Sequence, residues 1–78
     1  MEKLEIVEIK EKFSGGGATQ CFTYSGVSQV MDVLSRLGAN PESEYTFICL
    51  DESKNYCFHS IDSIRGAELS AGGNKVSL

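Results

Sequence analysis

Few residues in this chain can do chemistry: three cysteines, Cys21, Cys49 and Cys57, and a single histidine, His59. Cys57 and His59 stand two apart. On a strand that spacing puts both side chains on one face, with Cβ atoms roughly 6–7 Å apart. That is near the reach of a thiolate–imidazolium pair, the device of cysteine nucleophiles. Asp51 or Asp62 could orient the imidazole, but no oxyanion-stabilising group is marked. The same four residues form the one soft-ligand set available to a structural zinc, and they lack the paired spacing that zinc sites use. An odd number of cysteines cannot all pair within one chain. The expectation is three reduced thiols packing as small hydrophobes beside Phe22, Ile48, Leu50, Tyr56 and Phe58. No metal or cofactor is expected, and reduced thiols fit a cytoplasmic location.

Other features reduce to ordinary structure. Gly15-Gly16-Gly17 could cradle a phosphate, but no lysine follows it and the next segment reads as a strand, so a hairpin loop is expected. Arg65 offers a donor fork for an anion or a partner carboxylate; a local salt bridge to Asp62 or Glu68 is the simpler expectation. Glu42, Glu44, Asp51 and Glu52 bracket a candidate strand without the spacing of a calcium loop. They read as a solvated edge or as a face toward a basic partner.

Length and charge narrow the function classes. The chain has 78 residues, a formal net charge of -4, 41% hydrophobic residues and 23% charged residues. That is enough for one small core and too apolar for a disordered chain. An acidic balance argues against nucleic-acid binding. The N-terminus alternates charges with aliphatics and has no apolar signal region. The charges are uneven: seven lie within the first twelve residues and none between Phe13 and Met31. That gap contains glycine, serine and threonine throughout, so it does not read as a membrane span. Its composition matches an interface, which is poor in lysine and carboxylates and rich in aromatics; a strand covered by the helix, which needs no charge, is the simpler expectation. Thr19, Gln20, Phe22 and Tyr24 are the candidate contact residues there.

The elements that position these residues follow from periodicity. Lys3–Phe13 reads as a strand, with a helix as the competitor. Leu4 and Ile6 share one parity and Val7, Ile9 and Phe13 the other, so either a bulge lies near Ile6–Val7 or both faces are covered. Ala18–Tyr24 is the return strand. Val27, Val30, Met31, Leu34 and Leu37 form the stripe of an amphipathic helix. Ser25 is placed to cap it, with Gly26 in its first turn and Gly38 at its end. Glu44–Leu50 and Tyr56–Ile61 read as a second hairpin, apolar on both faces and therefore central or covered. Asp62–Leu69 is a helical turn capped by Ser60 or Asp62, or a strand extension. Residues 70–78 read as a flexible C-terminal tail after a single domain over 1–69.

The expected fold is α+β: a small, mainly antiparallel sheet in the order β-β-α-β-β with one helix on one face. The expected function is that of a small acidic, non-catalytic protein-binding module, an inhibitor or adaptor. Its partner would be another protein with a basic surface, with no direct nucleic acid and no membrane. Small phage-type accessory and neutralising proteins offer an analogy of size and charge alone. The alternatives are a self-associating scaffold, dimeric through a sheet edge, and a small enzyme or ligand-binding domain using Cys57 and His59. The candidate binding residues are Thr19, Gln20, Phe22, Tyr24, Glu42, Glu44, Asp51 and Glu52.

Overall fold

The computed structural model describes residues 2–78. They form a small α+β fold, a mixed sheet with two short helices on one face. Strand β1 (Lys3–Gly15) runs through its middle and pairs antiparallel with β2 (Ala18–Ser25). Helix α1 (Val27–Ser35) follows, then the antiparallel pair β3 (Ser43–Leu50) and β4 (Tyr56–His59). A single turn, α2 (Ile61–Ile64), leads to a last hairpin of β5 (Glu68–Ala71) and β6 (Asn74–Val76).

The order across the sheet is β4-β3-β1-β5-β6, with β2 beside β1. β3 takes one side of β1. On the other side, β5 pairs with Lys3, Leu4 and Glu5, and β2 pairs with Glu8 to Gly15. The β1–β5 pairing is parallel, so the expected β-β-α-β-β order and mainly antiparallel sheet are matched only roughly.

Of the two readings of the parity switch at Ile6–Val7, the bulge is the one present. Against β3, Ile6 pairs with Cys49 and Glu8 with Ile48, leaving Val7 unpaired. The extra residue switches the parity, so Leu4, Ile6 and Ile9 all reach the same core despite their uneven spacing. Tyr45, Phe47 and Cys49 of β3, Leu69 and Ala71 of β5, Ile64 of α2 and Val30 and Val33 of α1 complete that core.

Helix α1 is rotated from its expected setting. Val30 and Val33 are buried, while Val27 and Met31 are 44% and 40% exposed. The N-cap is Gly26, at φ 85°, with no side-chain cap; Ser25 does not cap the helix. The helix closes at Ser35, and Gly38 at φ 85° lies in the turn beyond it. α2 is capped as one reading anticipated, with Ser63 N donating to Ser60 Oγ at 3.3 Å.

Two expectations about the later strands are corrected. β4 is an edge strand, and Tyr56 and Phe58 stand 71% and 69% exposed on the face opposite the helices. Their hydrophobicity therefore reports no second layer. The stretch from Ser70 onward is not a loose tail. Leu69 and Ala71 are buried, and Gly72-Gly73 turns the chain into β6 with φ values of 59° and 81°. Gly16 and Gly17, at 61° and 80°, make the same turn between β1 and β2. Paired positive φ values are the signature of a two-residue hairpin turn. Among the described residues no helix is long and apolar enough to cross a membrane.

Candidate protein-interaction edge

The charge-free stretch folds into β2, its turn and α1, and β2 lies at an edge. It pairs only with β1, and every residue from Ala18 to Ser25 except Tyr24 is exposed. The turn geometry settles which backbone groups face outward. A two-residue turn closes on a hydrogen-bonded pair, here Gly15 and Ala18. Pairs then alternate along an antiparallel ladder. Gln20, Phe22 and Tyr24 turn their N–H and C=O groups toward β1. Thr19, Cys21, Thr23 and Ser25 turn theirs away.

The far end of the strand agrees with this alternation. The amide of Ser25 donates not to β1 but to Gln29 Oε1, at 2.9 Å. The Gln29 side chain closes the edge at that point. Among the described residues, no backbone hydrogen bond outside the β1 ladder reaches Thr19, Cys21 or Thr23. Three consecutive outward N–H and C=O pairs therefore stand open, on a strand without charge, proline or bulge, the devices that normally blunt an edge. The side chains of Thr19, Cys21 and Thr23 lie on the open face of the sheet. Gln20, Phe22 and Tyr24 lie on the helix side, where the Phe22 and Tyr24 rings stand 6.4 Å apart at 30°.

A buried carboxylate fixes this edge to the rest of the fold. Glu11 on β1 is 7% exposed. Its Oε1 accepts from Tyr24 Oη at 2.9 Å, and its Oε2 accepts from Ser43 Oγ at 2.6 Å and Tyr45 Oη at 3.2 Å. Arg36, just past α1, approaches Oε1 at 3.7 Å and lies over the Tyr24 ring at 5.2 Å from its centroid. The charge-assisted bond from Ser43 draws the Glu11 carboxyl below its ordinary value, against the opposing effect of burial. Burial, helped by the neighbouring carboxylate, pushes the Tyr45 phenol up. Both carboxylate oxygens are engaged, so the cluster positions strands rather than offering a reactive group. Sequence reading passed over Glu11. The available signal was its parity, shared with Ile9 and Phe13 on the core side.

The remaining candidates are dispersed. Glu42 and Glu44 sit at the start of β3, and Asp51 and Glu52 follow its end, a strand length away, so the four form no single patch. Asp51 is used locally: its Oδ1 accepts from Ser53 N and Asn55 N, each at 2.9 Å, which shapes the β3–β4 turn. Glu68 pairs with Lys75 at 3.8 Å, not with Arg65, which joins no ion pair among the described residues.

Cys57 and His59 share the helix side of β4, but the Cys57 thiol and His59 Nδ1 point to other partners, and His59 Nε2 is buried without one among the described residues. The Cys57 thiol faces the Cys49 carbonyl at 3.5 Å, and His59 Nδ1 meets Ser63 Oγ at 3.0 Å. Burial pushes the Cys57 thiol up and raises that of Cys49 to about 12, the opposite of nucleophile activation. All three cysteines are free. Among the described residues no cluster of three or more histidine, cysteine or carboxylate groups could hold a metal ion. No protein-family model, curated protein or solved structure matches the chain.

Proposed function

We propose that the chain is a small acidic protein-binding module, an inhibitor or adaptor, that takes an extended segment of another protein onto the outer edge of β2. The observation that carries this reading is the run of open amides and carbonyls at Thr19, Cys21 and Thr23 on an uncharged strand. Strand addition draws affinity from main-chain hydrogen bonds and specificity from alternate side chains. Phe22 and Tyr24 supply that specificity on the helix side. The net charge of -4 favours a partner with a basic surface, by speeding encounter more than by deepening the complex.

Thr23→Pro tests the reading. It removes one outward N–H and leaves the β1 ladder intact, a position where a strand tolerates proline. A partner captured by the wild type should be lost with Thr23→Pro and kept with the double variant Tyr56→Ser, Phe58→Ser. Retention by the proline variant, with loss in the aromatic pair, moves the binding surface to β4.

A further inference from the structure

We infer that, in the protein alone, a second copy of the chain occupies the β2 edge, forming a two-fold antiparallel β2–β2 pair centred on Cys21. The inference rests on the edge reading above and adds the occupant. Outward groups at three alternate positions, Thr19, Cys21 and Thr23, are symmetric about their middle member. A two-fold axis through Cys21 sets Cys21 against its own copy and Thr19 against Thr23 in both directions. Each of the three pairs then exchanges two main-chain hydrogen bonds. On the helix side, Phe22 faces Gln20 of the other copy. The two Phe22 rings become diagonal neighbours at roughly 7–8 Å, within reach of aromatic side chains.

Charge selects this edge for self-pairing. A net charge of -4 opposes self-association, and β2 adds no charge of its own to that repulsion. The nearest charges on the open face are Lys12 opposite Cys21 and Lys10 opposite Thr23, both on β1. In the pair, the two Lys12 residues stand three strand spacings apart, roughly 14 Å, beyond the screening length of about 8 Å at physiological salt. The other edges have charges on the strand or close beside it: β4 is itself free of formal charge but lies between Asp51, Glu52 and Lys54 on one side and Asp62 on the other, and β6 carries Lys75, paired with Glu68. A strand of eight residues buries a small interface, so the dimer belongs to the weak, concentration-dependent class. A heterologous partner would compete with the copy for the same amides.

Cys21 supplies the test, since it is exposed while Cys49 is buried and Cys57 half-buried. Sedimentation of the full chain from low micromolar to near millimolar concentration should show a reversible monomer–dimer equilibrium. A short thiol-to-thiol cross-linker should trap a covalent dimer, and Cys21→Ser should abolish the trapping but keep the equilibrium. Cys21→Glu is the decisive variant. In the monomer its carboxylate faces Lys12 favourably; in the dimer it faces its own copy on the axis. It should weaken dimerisation at least tenfold without lowering the unfolding temperature. A wild type that stays monomeric throughout, a dimer unchanged by Cys21→Glu, or trapping that survives Cys21→Ser overturns the inference. None of these results bears on whether Thr23→Pro loses a heterologous partner, so the two readings fail separately.

Discussion

The amide of Ser25 donates to Gln29 Oε1 at 2.9 Å, and this bond ends the open edge of β2 where α1 begins. One side chain thereby serves two elements. It satisfies an outward amide of the strand, and it ties the first turn of a helix whose N-cap is glycine and offers no side-chain acceptor. Gln29→Ala should cost about 0.5–1 kcal/mol, the scale of a lost capping interaction. Thermal unfolding measures that cost, and hydrogen exchange should show the Ser25 amide newly unprotected.

The Glu11 cluster predicts a pH dependence. Glu11 titrates below the ordinary 4.5 in the folded state. A lowered folded value means the carboxylate contributes its full stability above the unfolded value and loses it as pH falls through the folded one. Denaturant titrations of the wild type should therefore lose stability as pH drops below 4.5. The pH series of Glu11→Gln should be flatter over that window. At neutral pH, Glu11→Ala should cost about 2–4 kcal/mol, because Arg36, Ser43 and two tyrosine hydroxyls lose their common acceptor.

The C-terminal hairpin carries real structure, and Gly72 is its sensitive point. Gly72 lies at φ 59°, and a Cβ added there would collide with the Val27 side chain. Gly72→Ala should lower stability by about 1–3 kcal/mol, combining left-handed strain with displacement of α1. Gly16→Ala shares the positive φ but meets nothing within 4 Å, so it isolates the strain contribution. Equal unfolding temperatures for the two variants would contradict packing of the β5–β6 turn on α1.

Thiol accessibility should rank the cysteines. In native protein, the exposed Cys21 should react first with a thiol reagent. Cys57 should lag, being half-buried with its thiol pushed up, and Cys49 should react only on unfolding. A fast-reacting Cys57 with a depressed pKa would revive the Cys57–His59 pairing.

Local signals made much of this fold legible. The parity switch at Ile6–Val7 narrowed the choice to a bulge or a doubly covered strand, and the glycines after Ser14 announced the first turn. What stayed hidden depended on tertiary setting. Val33 and Met31 are interchangeable by hydrophobicity; the glycine cap and the turn into α1 decide which faces the core. Gly72-Gly73 carried the same turn signal as Gly16-Gly17. Its flanking strands, four and three residues long, are too short to show a period. Glu11 was obscured because a carboxylate at a core parity reads as a break in pattern until its hydroxyl partners, from distant strands, are in place.

Residue-resolved hydrogen exchange tests the β2 edge most directly, in dilute protein alone and with a captured partner. Alone, the inward amides of Gln20, Phe22 and Tyr24 should be protected while those of Thr19, Cys21 and Thr23 exchange freely. With the partner bound, the three outward amides should become protected. Protection gained at Tyr56 to His59 instead, with Thr19, Cys21 and Thr23 still exchanging freely, would contradict the account.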